Sequence, residues 1–182
     1  MSRILGVVNT FVGYANGQRK NPSYEEVCNL DTGHVETVKV IYDSKKVSLK
    51  QLTLEFFKII DPFTKDRQGG DIGNQYRTGI YYTDERDKNL ILEILIEKQK
   101  EYDTTFGKKI LTEIEPLSVF YPAEEYHQKY LDKNPNGYCH VDLNLLDKNM
   151  FKIEENSTEL TENYNLHLPK QNSRSKEEKE KN

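Results

Sequence analysis

Apolar and polar side chains alternate from residue 35 to 42, with Val35, Thr37, Lys39 and Ile41 on one side and Glu36, Val38, Val40 and Tyr42 on the other. A period of two predicts a strand, and it puts Glu36 on a face shared with apolar neighbours. The period then changes. Ser48 and Gln51 are spaced as a capping box, Val47 and Leu52 as a hydrophobic staple, and Leu49, Leu52, Phe56, Ile59 and Ile60 form a helical stripe ending at Asp61-Pro62. A short strand is expected over 78–83. A helix is expected over 84–101, turning Leu90, Ile91, Ile94, Leu95 and the stem of Lys98 inward, and a further strand over 110–115. Pro122 suits the first turn of a helix running through His127 to Leu131, before the turn signal Asn134-Pro135-Asn136-Gly137. No internal repeat is evident, and the mixture predicts one α+β or α/β domain over 1–146.

Composition changes the picture only beyond that point. Residues 147–182 are dominated by Asn, Glu, Lys and Ser and bury too little apolar area to offset the entropy of ordering them, so a flexible charged tail or linker is expected. The 182 residues carry 26 Lys and Arg against 30 Asp and Glu, a net charge of −4 with both signs scattered. That gives no basic face for nucleic acid. No apolar run is long enough to span a bilayer, and Met1-Ser2-Arg3 opens without a leader-like segment, so a cytoplasmic protein is expected. Cys28 and Cys139 lie far apart with no CxxC and no zinc-ligand spacing. In a reducing compartment each is either an inert small residue or a redox participant.

Four polar residues form a constellation. Glu36, among valines on a strand face, would be held protonated because burial disfavours the carboxylate, and a neutral carboxyl can act as a general acid. Tyr24 and Tyr76 would add phenolic donors to an oxygen on which negative charge builds; losing one such donor typically costs about 3 kcal/mol in the transition state. Asp71, in the glycine-rich run from Gln68 to Arg77, could orient a proton-carrying water. By residue type alone, a strand glutamate is more often solvent-facing or salt-bridged, a tyrosine near a proline core or rim, and an aspartate between glycines a turn former. Glu124, Glu125 and His127 suggest metal ligation, but on an exposed helix with no fourth ligand and no HExxH pattern they read as a solvated face.

Six stretches occur in a telling order: Val12-Gly13-Tyr14-Ala15-Asn16-Gly17, Asn21-Pro22-Ser23-Tyr24-Glu25-Glu26-Val27-Cys28, Thr32-Gly33-His34-Val35-Glu36, the run from Gln68 to Arg77, Phe120-Tyr121-Pro122-Ala123-Glu124-Glu125-Tyr126-His127-Gln128, and Lys133-Asn134-Pro135-Asn136-Gly137-Tyr138-Cys139. Over nearly all of residues 4 to 142 the chain resembles the peptide methionine-S-sulfoxide reductases. The resemblance implies an α+β, ferredoxin-like mixed sheet with packed helices. It implies reduction of methionine-S-sulfoxide, in proteins and as the free amino acid, with an external dithiol such as thioredoxin or dithiothreitol and no bound metal or organic cofactor. It also implies that Glu36 is the acid, that Tyr24 and Tyr76 bind the sulfoxide oxygen, that Asp71 joins the same hydrogen-bond cluster, that Cys139 is a resolving thiol, and that Cys28 is structural.

One part of the family pattern has no counterpart. The Gly-Cys-Phe-Trp signature that carries the nucleophile and an aromatic pocket falls upstream of Met1, and the chain contains no Trp. No nucleophile is therefore assigned to a residue here, and Met1 to Gly6 is expected to be the end of the helix that the nucleophile opens. Without the first strand and most of that helix, poor folding is expected. A selenocysteine codon read as a stop, with translation restarted at Met1, would account for this start; in-frame TGA upstream is the expected sign. The alternative to a reductase is a pseudoenzyme or inactive fragment that binds the sulfoxide without turnover, and the tail could also link to a companion reductase for the other epimer.

Overall fold

The computed structural model describes residues 1–138. Cys139 and the segment 147–182 lie outside the described residues. The longest pairing joins β1 (Val7–Ala15) to β2 (Val35–Tyr42), antiparallel, from Val7 opposite Tyr42 to Ala15 opposite Val35, with a bulge between Val7 and Asn9. The other edge of β1 takes a short strand, which sets Gly13, Tyr14 and Ala15 opposite Pro122, Tyr121 and Phe120. A side chain at Gly13 would put its Cβ 2.4 Å from the Tyr121 carbonyl oxygen and 2.5 Å from the Phe120 ring, so glycine is what allows the close approach. β2 is thus the outer strand of its sheet among the described residues, with Val38 and Ile41 exposed.

Between β1 and β2 the chain forms α1 (Tyr24–Asn29), opened by a reciprocal capping box between Ser23 and Glu26. The expected capping box at Ser48 and Gln51 starts α2 (Leu49–Ile59). Val47 and Leu52 do meet, in a cluster with Ile4 and Val7 that Val40 and Tyr42 join from β2. The rest of α2 differs from the expected stripe: Leu52, Thr53, Glu55 and Phe57 are its buried residues. The reason is that α2 serves two cores. Its first turn faces the cluster around Ile4, while Phe57 packs with Ile94 and Ile110 in a second cluster that Leu54, Phe56 and Ile60 flank.

A hairpin follows, β3 (Arg67–Gln68) and β4 (Asp71–Ile72), turning through Gly69-Gly70 with Gly69 in the left-handed region at φ 57°. A 3₁₀ turn at Asn74–Tyr76 leads to β5 (Gly79–Tyr82). Helix α3 (Glu85–Phe106) is capped by Asp84 and runs five residues past its expected end, stopping where Gly107 takes φ 61°. β6 (Glu113–Pro116) then pairs in parallel with β5, and β7 (Phe120–Pro122) is the strand that closes on β1.

Two expectations fail. Met1 to Gly6 forms turns rather than a helix end, with Ile4 N–H bonding to the Met1 carbonyl and Val7 N–H to that of Ile4. Pro122 ends a strand rather than opening a helix; residues 125–129 are turns, and only α4 (Tyr130–Lys133) is helical. At a sheet edge the missing N–H of proline removes no needed ladder bond, whereas Ala123 N–H bonds the Val12 carbonyl and holds the chain extended.

Candidate active site

Glu36 lies on β2, directly opposite Tyr14 of β1. Burial is the main reason its carboxyl is pushed up to about 7; the nearby charge of Asp71 adds to the rise, and a hydrogen bond from Tyr76 opposes it. Its Oε1 is buried without a hydrogen-bond partner among the described residues. Near neutral pH this group is therefore partly protonated, with one oxygen uncommitted.

Tyr24 and Tyr76 arrive from different directions. Tyr24 is the first residue of α1, fixed there by the Ser23 cap and by its own N–H, which donates to Glu124 Oε1 at 2.7 Å. Its phenol is raised to about 12, chiefly by donating to the Cys28 sulfur one helical turn on, then by burial. Tyr76 ends the 3₁₀ turn, and its phenol is raised by burial first and by the Glu36 carboxyl second. The two phenols are close enough to act on each other. Asp71, on β4, is close enough to act on both Glu36 and Tyr76. All four residues singled out in the sequence thus converge on one place: a titrating carboxyl, two phenols that stay protonated at neutral pH, and a second carboxylate beside them. Such a group can donate protons and hydrogen bonds to an oxygen that has none of its own.

The site contains residues that the sequence reading set aside. Cys28 is half-buried and in contact with Tyr24, so it belongs to the rim of the cluster. Glu124 is no solvated-face residue: besides the Tyr24 N–H, it takes the Tyr14 hydroxyl on Oε2 at 2.7 Å. Burial works to raise its carboxyl, but these donated bonds outweigh that and lower it. The His127 ring packs 4.6 Å from that of Tyr24 and 4.3 Å from that of Tyr126, and its buried Nε2 has no partner among the described residues. The one signal for this arrangement was the Glu124-to-Gln128 stretch itself, read as helix and hence as exposed. Among the described residues, no three His, Cys, Asp or Glu side chains are grouped so as to hold a metal ion.

Comparison with known proteins gives this donor set a context. The family model for peptide methionine sulfoxide reductase matches residues 1–159. The chain belongs to the peptide methionine sulfoxide reductase family. A relative from Alkaliphilus metalliredigens named peptide methionine sulfoxide reductase MsrA is 57% identical over 145 residues, 80% of this chain and 89% of the relative. One of the same name from Clostridium botulinum is 56% identical over 143 residues, covering 79% and 88%. Among solved structures, methionine sulfoxide reductase A of Corynebacterium diphtheriae superposes with a TM-score of 0.71 at 38% identity over 74% of this chain and 68% of that one. The reduced form of Mxr1 from Saccharomyces cerevisiae superposes at 0.67 with 43% identity, over 74% and 75%. The α+β class with packed helices is common to this methionine sulfoxide reductase and those structures. None of its described helices is long and apolar enough to cross a membrane.

Proposed function

We propose that the chain is a peptide-methionine (S)-S-oxide reductase in which Glu36, Tyr24 and Tyr76 polarise the sulfoxide oxygen and Asp71 orders the proton supply beside them. The observation that carries this reading is the Glu36 carboxyl, raised to about 7 by burial and left with a free buried oxygen next to two phenols. A sulfoxide oxygen is a strong acceptor with no proton, and its sulfur becomes open to attack only as charge is drawn onto that oxygen. A protonated carboxyl supplies the proton, and the phenols supply hydrogen bonds that strengthen as charge develops.

In this reading a thiolate or selenolate attacks the sulfoxide sulfur, the S–O bond breaks, and the oxygen passes with a proton to the attacking atom. Methionine leaves and a sulfenic or selenenic acid remains. A second thiol displaces its hydroxide as water, forming a disulfide or selenenylsulfide that an external dithiol such as thioredoxin reduces. The substrate is oxidised methionine in proteins or as the free amino acid, and Cys139 is the candidate second thiol. The residues assigned to this chain bind and protonate; the attacking group is assigned to none of them.

The test uses N-acetyl-methionine sulfoxide with each epimer followed separately by chromatography, with dithiothreitol as reductant. Consumption of the S epimer alone, reduced about 100-fold by Tyr76→Phe and more by Glu36→Gln, supports the reading. Binding of the S epimer with no release of methionine points to a binder instead, and equal loss of both epimers rejects the stereochemical assignment.

A further inference from the structure

Arg77 follows Tyr76 in the chain and bonds both the turn that carries Tyr76 and the approach to the strand that carries Glu36. Its Nε donates to both oxygens of Glu113, at 3.0 and 3.1 Å. One terminal nitrogen donates to the Asn74 carbonyl at 2.9 Å, and the other to the Gly33 carbonyl at 3.1 Å. Asn74 begins the 3₁₀ turn that ends in Tyr76. Gly33 stands three residues before Glu36 and holds the left-handed φ of 71° at the entrance to β2. Glu113 opens β6 and is itself held by the Tyr81 hydroxyl at 2.9 Å. The guanidinium is mostly covered, its side chain 21% exposed.

We propose that Arg77 is a positioning residue: its guanidinium fixes the Tyr76 turn against the approach to β2 and so sets the contact between the Tyr76 hydroxyl and the Glu36 carboxyl. The inference rests on the reading of Glu36 and Tyr76 as the oxygen-polarising pair. The two segments are 44 residues apart in sequence at the Arg77 to Gly33 bond, and a second tie, from Asn74 Nδ2 to Asp31 Oδ1 at 2.7 Å, runs between the same segments. The planar fork is what makes arginine suitable. Three acceptors in three directions are met at once by fixed N–H groups, whereas the single ammonium of lysine, held by Glu113, would leave both carbonyls behind. Lysine at this position keeps the charge and loses the geometry.

The consequence is readable at Glu36 without turnover. The hydrogen bond from Tyr76 opposes the burial that raises the Glu36 carboxyl, so a displaced Tyr76 lets Glu36 titrate higher. The experiment is a carbon-13 NMR titration of the full chain labelled at glutamate carboxyls, with the Glu36 signal assigned by its loss in Glu36→Gln. Wild type, Arg77→Lys, Tyr76→Phe and the double variant are compared. The expected result is that Arg77→Lys and Tyr76→Phe each weaken the Glu36 acid at least threefold, and that the double variant goes no further than Tyr76→Phe alone. An unchanged midpoint in Arg77→Lys overturns the proposal, as does a shift that adds in full to that of Tyr76→Phe. A wild-type midpoint in the ordinary carboxylate range would instead remove the acid role of Glu36, and the comparison of Arg77→Lys with wild type would still decide the positioning role. Should Arg77→Lys fail to fold, Glu113→Gln serves: loss of a negative charge alone would lower the Glu36 midpoint, whereas loosening Arg77 raises it, so a rise supports the proposal and a fall or no change rejects it.

Discussion

Tyr14 and Glu36 are direct cross-strand partners on β1 and β2, yet the Tyr14 hydroxyl is given to Glu124 at 2.7 Å. The nearest phenol in the ladder is therefore no donor to the acid. Glu36 is left with Tyr76, which comes from another part of the chain, and with an oxygen that has no partner among the described residues. Glu124 thereby keeps the donor count at Glu36 low, and a low donor count is what allows burial to prevail and hold the carboxyl near neutrality.

Glu36 should set a pH dependence of stability. Its folded value of about 7 lies above the ordinary carboxylate range, so between roughly pH 4.5 and 7 the native state binds more protons than the unfolded chain. Stability then falls as pH rises through that window and levels off above it. Glu36→Gln, which cannot ionise, should remove this slope. Relative to wild type it should gain on the order of 2 kcal/mol between pH 5 and pH 8, read from urea unfolding at the two values. A parallel pH dependence in both proteins would show that Glu36 ionises freely in the folded state.

The Tyr24 phenol owes its rise to about 12 first to Cys28 and second to burial. Cys28→Ala removes the sulfur while leaving the turn of α1 intact, since alanine is the best helix former. The Tyr24 midpoint should therefore drop toward the usual tyrosine value of about 10. NMR of chain labelled at the tyrosine ring carbon next to oxygen, with Tyr24→Phe for assignment, measures it. An unmoved Tyr24 would make burial the dominant cause and Cys28 a bystander.

Local signals in the sequence were legible. The alternation over β2 and the capping box at Ser48 and Gln51 each depend on a few adjacent residues. β1 was not legible because its sequence, Val-Val-Asn-Thr-Phe-Val-Gly-Tyr-Ala, breaks alternation at a bulge and at a glycine that exists for Phe120 and Tyr121. α1 is only six residues long, although Ser23 and Glu26 repeat the spacing seen at Ser48 and Gln51. The four acid and phenol positions were named from the family pattern, and the structure brings them close together. The contacts of Arg77 and Glu124 were not legible, because their partners lie 36 to 110 residues away and residue type gives no hint of which carbonyl or hydroxyl they will meet.

Glu124 accepts from a buried phenol and from the first N–H of α1. Alanine there leaves both donors without an acceptor, and an unsatisfied buried donor costs roughly 1–3 kcal/mol. Glu124→Ala should destabilise the chain by about 2 kcal/mol or more in denaturant melts. Most of the loss should be tied to Tyr14: once Tyr14→Phe has removed the hydroxyl, adding Glu124→Ala should cost clearly less than it does alone. Full additivity would mean that the carboxylate contributes through the Tyr24 N–H or its charge and not through Tyr14.

The contact between β1 and β7 offers the sharpest packing test. β7 carries the chain from Phe120 into the stretch with Glu124 and His127, and its register rests on three residue pairs centred on Tyr14 and Tyr121. A methyl at position 13 meets the Tyr121 carbonyl and the Phe120 ring well inside contact distance, and a backbone carbonyl cannot swing aside as a flexible side chain can. Gly13→Ala should therefore push β7 off β1, at about 1–3 kcal/mol, the usual cost of overpacking. Because Ala123 N–H bonds the Val12 carbonyl just past the clash, the displacement should reach Glu124 and free the Tyr24 N–H. Hydrogen exchange resolves the two effects: the amides of Ala123 and Tyr24 should lose protection together in Gly13→Ala, while those pairing the far end of β1 with β2 keep theirs. Loss of protection across the whole of β1 would show instead that the strand unfolds as a unit and that β7 is not the part that yields.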